Sequence, residues 1–377
     1  MEYINLKAQY QVMKEEINNR VLRVMENSDF IMGKAVYEFE DMLAKYIGVK
    51  HVISCGNGTE ALQLVYMLYG IGTGDAVFCP AMTFIASVEP ACLLGATPVF
   101  CDIDNNSYNI LPESLEEQIK KVKKEGKLKP KAIIAVDFLG NPADYDSVHQ
   151  ITKKYNLLLI EDAAQSMGAS YKGRMCGSLG DIASTSFFPS KPLGAYGDGG
   201  AVFTNDNKAA EILRSLRIHG KGVSKYDNIR IGINSRLDTL QAEILKIKLE
   251  YLEKEIKNRQ NIAAQYSTGL ARYVKAPFVN RDVISSYAQY VICVHNRKER
   301  EELRRYLKEH GVPTIIYYPN PLHALPVFAE LNNYEERLEN AEKYAETNIG
   351  IPFSPYITDD EQKKVISIIN EYFGGTR

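Results

Sequence analysis

The sequence predicts an α/β fold: a large domain built on a mostly parallel sheet covered by helices on both faces, joined through a long helix to a smaller α+β domain. Three observations carry that reading. Between residues 50 and 205, apolar runs of strand length alternate with helix-like segments, the rhythm of a sheet buried on both faces. From about Leu237 to Ile256, apolar residues recur at three- and four-residue steps, the period of a helix. Past that helix the alternation ends, and strand candidates flank a charged helical stretch.

Taken in order, Val52-Ile53-Ser54 reads as the first strand, and Glu60 to Leu68 as the helix entered through Gly56-Asn57-Gly58-Thr59. Ala76-Val77-Phe78-Cys79 is a strand, Ile85 to Leu94 a helical stretch, and Pro98-Val99-Phe100-Cys101-Asp102 the next strand. Ala132 to Val136, Leu157 to Ile160 and Ala201 to Thr204 complete the apolar runs. In the long helix Leu237, Leu240, Ile244, Ile247, Tyr251 and Leu252 recur in step, and Ser235 with Asp238 resembles an N-terminal capping pair. Tyr287 to Val294 reads as a strand, residues 298 to 310 as a helix stopped by Gly311 and Pro313, and Val312 to Tyr318 as a last strand.

Composition excludes several function classes. Lys+Arg 45 against Asp+Glu 47 leaves a net charge of −2, so the whole molecule has no field to recruit a polyanion. The lysine-rich stretch from Lys120 to Lys129 has no interleaved aromatic residue and reads as a solvated helix end. With 24% charged and 45% hydrophobic residues, the chain is neither disordered nor a coiled coil. No apolar run approaches the ~18 residues of a membrane span, and the N-terminus lacks a secretory signal; a cytoplasmic protein, bound to neither nucleic acid nor membrane, is expected. The six cysteines form no C-x-x-C pair and no Cys/His cluster, so neither a disulfide nor a metal site is expected.

Three segments carry chemistry. Gly56-Asn57-Gly58-Thr59 lies between a strand and a helix, where backbone N–H groups at a helix N-terminus can close on a phosphate, although a tight turn without a ligand fits the same residues. Glu161-Asp162-Ala163-Ala164-Gln165 puts carboxylates outside the carboxyl end of a strand, to ligate a metal, bind a ribose, pair with a protonated pyridine nitrogen, or cap the next segment. Lys191 is the one lysine of the segment Thr185 to Gly200, flanked by small and aromatic residues and followed by four glycines within seven positions; desolvation there lowers the pKa of an amine and favours a Schiff base. Together these supply an anion seat, a pyridinium partner and an amine, the three handles of pyridoxal phosphate.

Longer motifs then become specific. Gly56 to Leu64, Pro80 to Ala86, Glu161 to Tyr171, Ser186 to Thr204, Arg217-Ile218-His219-Gly220 and Asn234 to Gln241 resemble the DegT/StrS-type sugar aminotransferases, and the likeness runs from Ile4-Asn5-Leu6 to His323. The resemblance implies the type I, aspartate-aminotransferase-like fold. Residues 1–245 are then the N-terminal arm and large pyridoxal-phosphate domain, and 246–377 the connecting helix and small domain. It implies that Lys191 is the Schiff-base lysine and proton carrier, that Asp162 faces the pyridine nitrogen, and that Phe84 stacks on the cofactor. Gln165 falls beside its 3′-hydroxyl, and Gly58, Thr59 and Ser186 match its phosphate seat. Asn234 matches a residue reaching the phosphate of the neighbouring subunit's cofactor, so a homodimer with shared sites is expected. Ser190, Arg236, Tyr317, Tyr318 and His323 match positions that meet the nucleotide sugar.

Among the family's branches, Ser186 to Gly200 is most similar to enzymes that aminate the 3-keto carbon of a nucleotide-linked sugar with L-glutamate as donor, in cell-surface glycan and O-antigen biosynthesis. UDP-2-acetamido-2-deoxy-3-oxo-glucuronate is the favoured acceptor. Tyr317-Tyr318-Pro319 departs from the His-Tyr-Pro of that branch, which keeps a dTDP-linked 3-keto-6-deoxyhexose as the alternative. A regulator of the same fold without transaminase activity is the alternative from another class.

Overall fold

The structure is a computed structural model and describes residues 1–224, 226–331 and 338–375. Two helices, α1 (Leu6–Asn27) and α2 (Lys34–Ile47), precede a seven-stranded sheet. Its strands are β1 (His51–Cys55), β2 (Asp75–Pro80), β3 (Thr97–Cys101), β4 (Lys129–Val136) and β5 (Leu158–Asp162), then, after the hairpin β6 (Ser170–Tyr171) and β7 (Arg174–Met175), β8 (Ile182–Ser186) and β9 (Gly200–Thr204). The order across the sheet is β1-β9-β8-β5-β4-β2-β3, with only β9 running against its neighbours. Helices α3 (Gly58–Leu68), α4 (Glu89–Leu93), α5 (Pro112–Glu125), α6 (Tyr145–Tyr155) and α7 (Asn207–Leu216) cover the two faces. The central strands are buried on both faces, which is why they read as unbroken apolar runs.

The carboxyl ends of β1, β2, β5 and β8 therefore lie along one edge of the sheet, where ligands of open α/β sheets bind. β8 escaped the sequence reading because Ala183-Ser184-Thr185-Ser186 has small polar side chains. Ser184 and Thr185 are nevertheless buried, and Thr185 Oγ1 donates to the Ala163 carbonyl at 3.0 Å. The stretch from Ile85 to Leu94 is not one helix but a 3₁₀ turn, Ile85–Ser87, followed by α4 with Pro90 in its first turn.

Helix α8 (Thr239–Leu270) is longer than its sequence period suggested. Leu245, Leu249, Leu252 and Ile256 pack into the large-domain core, and Ile262, Ala263, Tyr266 and Leu270 into a second core. The buried face shifts as the helix changes partners, so one period does not describe it. Ser235 and Asp238 do not cap it: Asp238 makes no side-chain cap bond, and Ser235 Oγ accepts from the Gly56 N–H at 3.0 Å. Past α8, β10 (Val283–Ile284) joins the β6–β7 hairpin, and β11 (Tyr290–Cys293), α9 (Arg297–Glu309), α10 (Glu339–Thr347), β12 (Asn348–Ile351) and α11 (Asp359–Gly375) follow. The second core is completed by β11, α9, β12 and α11, whereas Ala341, Tyr344 and Ala345 of α10 pack in one cluster with Val77 and Ile134 of the large sheet. Val312 to Tyr318 forms no strand. Pro313 has no N–H, the Tyr317 N–H goes to Asn348 Oδ1 at 2.8 Å, and Ile315 alone bridges to Gly350. Among the described residues no helix is long and apolar enough to cross a membrane.

Candidate active site

The turn between β1 and α3 is built for close approach. Asn57 caps α3, its Oδ1 accepting from the Glu60 N–H at 2.8 Å, and its carbonyl takes the Ala61 N–H. The preceding N–H groups, those of Gly58 and Thr59, have no intrahelical acceptor and sit at the positive end of the helix dipole. A Cβ on Gly58 would come within 2.7 Å of Ser186 Cβ, so only glycine lets the end of β8 close on this turn. Gly200 meets the Asn57 carbonyl the same way, at 2.5 Å.

That edge opens into a cavity of about 680 Å³. Gly58, Thr59, Asp162, Gln165, Ser186 and Lys191 line it, as do Phe84, Ser190, Tyr317 and Tyr318. Ten of the predicted positions thus converge although 260 residues separate the first from the last. Asp162 lies at the end of β5, 6% exposed; its Oδ2 accepts from Ser87 Oγ at 2.8 Å and its Oδ1 from the Ala164 N–H at 3.1 Å. Burial raises its pKa, and those two donors, together with the Lys191 charge, oppose the rise. Burial lowers the pKa of the Lys191 amine, opposed by the Asp162 charge. The loop carrying Lys191 is held tightly: the Phe187 N–H donates to the Gly199 carbonyl and the Ala195 N–H to the Phe187 carbonyl, each at 2.7 Å.

Phe84, half exposed, and Tyr318 face one another with ring centroids 6.0 Å apart, and Tyr318 lies 6.2 Å from Phe138. Gln165 Oε1 accepts from the Leu139 N–H at 2.8 Å, which fixes its amide at the cavity wall. These groups fit pyridoxal phosphate: a seat for its phosphate that a Cβ at position 58 would fill, a buried carboxylate for its ring nitrogen, and a desolvated amine for its aldehyde carbon.

Three predicted residues do not line this cavity. Asn234 is exposed, and Arg236 is half-buried one residue past Ser235. The Ser235 bond to Gly56 places both beside the phosphate turn rather than inside the pocket. His323 sits on a 3₁₀ turn, its Nε2 3.4 Å from Glu342 Oε1, away from the lining residues. Conversely, Thr83, Ser87 and Gln289 line the cavity without having been singled out. Gln289 is buried and its Oε1 has no hydrogen-bond partner among the described residues. Its place just before β11 offers no sequence signal, whereas Thr83 and Ser87 at four-residue spacing could have suggested a pair.

Behind Asp162, Asp137 and Glu161 are fully buried, and ligand-type atoms of these two and Cys176 lie within 4.8 Å of one another. Asp137 accepts from Tyr145 and Ser166 hydroxyls at 2.9 and 2.7 Å; Glu161 accepts from the Gly177, Leu179 and Gly180 N–H groups. Burial raises both pKa values, Asp137 to about 6. Between the ordinary carboxylate range and 6 the folded chain therefore binds more protons at Asp137 than the unfolded one, so the contribution of Asp137 to stability is greatest at low pH and is lost as pH rises through 6. Relative to Asp137→Asn, wild type should lose on the order of 1–2 kcal/mol between pH 5 and pH 7, read as the difference between their urea midpoints.

The chain is similar to known proteins over nearly its whole length. The profile of the DegT/DnrJ/EryC1/StrS aminotransferase family matches residues 11–370. The chain is 45% identical to a UDP-2-acetamido-2-deoxy-3-oxo-D-glucuronate aminotransferase of Pseudomonas aeruginosa, over 97% of this chain and 98% of that protein. It is 40% identical to a dTDP-3-amino-3,6-dideoxy-alpha-D-galactopyranose transaminase of Aneurinibacillus thermoaerophilus, over 98% and 99%. Among solved structures, an aminotransferase from Brucella abortus superposes with a TM-score of 0.96 at 44% identity, covering 99% of this chain and 100% of that one.

Proposed function

This chain belongs to the DegT/DnrJ/EryC1/StrS aminotransferase family, and from that premise we propose that it transfers the amino group of L-glutamate to the 3-keto carbon of a nucleotide-linked sugar. UDP-2-acetamido-2-deoxy-3-oxo-glucuronate is the favoured acceptor. The chemistry is pyridoxal-phosphate-dependent transamination. One observation carries the reading: a desolvated lysine and a buried, donor-stabilised carboxylate share a cavity with a helix N-terminus that only glycine leaves open. The likeness to the Pseudomonas enzyme supports the choice of sugar.

Pyridoxal phosphate, when bound, supplies an electron sink for the carbon that loses its proton and a carrier for the amino group between substrates. This chain's residues do the rest. The N–H groups of Gly58 and Thr59 and the hydroxyls of Thr59 and Ser186 would hold the phosphate. Asp162, ionised, would keep a proton on the ring nitrogen, and Phe84 would cover the ring. Lys191 Nζ, its pKa lowered by burial, would take a proton from one carbon and return it to another; both half-reactions would use it.

The active unit in this reading is a homodimer. Among the described residues lining the cavity, Lys191 is the sole cation, yet L-glutamate and a sugar diphosphate are anions. Arg236 and Asn234, outside their own cavity, are the groups that would cross to the neighbouring subunit's site, where a guanidinium fork suits carboxylate or phosphate. Exposed apolar residues close to Asn234 in the chain, Tyr226, Ile229 and Ile231, support contact with a second chain. The reaction belongs to the cytoplasm, a placement supported by six free cysteines, and serves cell-surface glycan biosynthesis.

The same charge count favours a second acceptor, a dTDP-linked 3-keto-6-deoxyhexose whose sugar ring is uncharged, because among the described residues lining this chain's own cavity no cation besides Lys191 is present to pair with a uronate carboxylate. The test loads the enzyme with the amino group of glutamate and offers each keto sugar, following return of the resting cofactor absorbance. Return about tenfold faster or more with the uronate is expected. Return with the deoxyhexose alone overturns the uronate assignment.

A further inference from the structure

Ser87 is 2% exposed, sits at the end of the 3₁₀ turn Ile85–Ser87, and donates to Asp162 Oδ2 at 2.8 Å. Its Oγ is 2.9 Å from Thr83 Oγ1, in a side chain 3% exposed. An ionised carboxylate only accepts, so Ser87 gives its proton to Asp162 and the Thr83 hydroxyl points at Ser87. The turn itself is pinned from α3: Tyr66, fully buried, donates its hydroxyl to the Ser87 carbonyl at 2.6 Å. Phe84 belongs to the same turn, closed by the Ser87 N–H to the Phe84 carbonyl at 3.1 Å. One short segment thus presents a ring to one part of the cavity and a chain of two hydroxyls to its carboxylate.

We propose that Ser87, oriented by Thr83 and Tyr66, is a positioning residue that holds Asp162 as an anion aimed at the ring nitrogen of pyridoxal phosphate. The proposal rests on the cofactor assignment above and deepens it. Its physical basis is that a carboxylate this deeply buried stays ionised only where donors replace water. Asp162 has two of them, the Ala164 N–H on Oδ1 and the Ser87 hydroxyl on Oδ2. The backbone donor is common to any sequence at that turn, whereas the hydroxyl depends on the residue at 87.

The test reconstitutes the apoenzyme with pyridoxal phosphate carrying ¹⁵N in its ring and follows the nitrogen shift against pH. In wild type the nitrogen is expected to stay protonated through neutral pH. In Ser87→Ala its deprotonation midpoint should fall by about one pH unit, and the rate of the glutamate half-reaction should fall by about tenfold with KM nearly unchanged. Ser87→Thr, which keeps the hydroxyl, should restore both. Thr83→Val, which leaves the direct bond to Asp162 in place, should shift the midpoint in the same direction by less; it carries the test alone should Ser87→Ala fail to fold. A nitrogen that titrates in Ser87→Ala and in Thr83→Val as it does in wild type overturns the proposal. Failure of wild type to bind the cofactor, or an unprotonated nitrogen in wild type, overturns the cofactor reading instead.

Discussion

Lys191→Ala should lower kcat by about 10⁴-fold, and borohydride should no longer fix the cofactor to the chain. Lys191 is the sole cation among the described residues lining the cavity, so no neighbouring amine replaces it as base. The same variant tests how the site is assembled. Arg236→Ala alone should also be nearly inactive, because the anionic substrates lose their guanidinium. If Arg236 serves the neighbouring subunit, mixing the two inactive variants rebuilds one intact site in each hybrid dimer, and about a quarter of wild-type activity returns on random exchange. If Arg236 serves its own chain, every hybrid site lacks one group and no activity returns. A kcat for Lys191→Ala within about tenfold of wild type would remove the residue from the chemistry.

The second large effect concerns folding. Arg217 is 2% exposed and its Nη1 donates to Glu40 Oε1 at 2.5 Å and to the Ser54 carbonyl at 2.7 Å. Glu40 also accepts from the Ser54 N–H and hydroxyl, at 2.9 and 2.7 Å. Removing either partner strands a charge in the core, which costs about 3–5 kcal/mol. Arg217→Ala and Glu40→Ala should each lower the urea midpoint accordingly, and the double variant by less than the sum, since each single change already breaks the pair. The damage reaches the site. The Arg217 carbonyl accepts the Ser235 N–H at 2.9 Å, and Ser235 supports Gly56 of the phosphate turn, so cofactor affinity should fall with stability. A loss below about 1 kcal/mol in both single variants would mean that the pair is solvated or dispensable.

Much of the site was legible because its chemistry needs rare local combinations. Gly58 beside Thr59 at a helix start, an uncharged run around Lys191, and acids at the end of an apolar strand are each ambiguous alone, and it is their combination along one chain that points to one cofactor without tertiary information. The fold was legible where burial is uniform, as in β2 through β5. Reading failed where a residue's role depends on what faces it. β8 is central, yet its small polar side chains gave no apolar run, because its neighbours supply the contacts and hydrogen bonds that bury it. Ser235 looked like a helix cap and instead serves a turn 179 residues away.

Residue type and near-neighbour spacing alone singled out three candidate parts along the chain, an anion seat, a carboxylate and an amine, and left each with a second reading that only the longer family motifs narrowed. Only the tertiary structure decided that the Ser87 hydroxyl meets Asp162, that α8 links two cores, and that Arg236 and His323 lie outside their own cavity. The reason is physical. Residue type and helical or strand period constrain a chain over a few residues, whereas a hydrogen bond across 75 residues or a cavity lined from four strand ends exists only once the sheet has brought those ends to one edge.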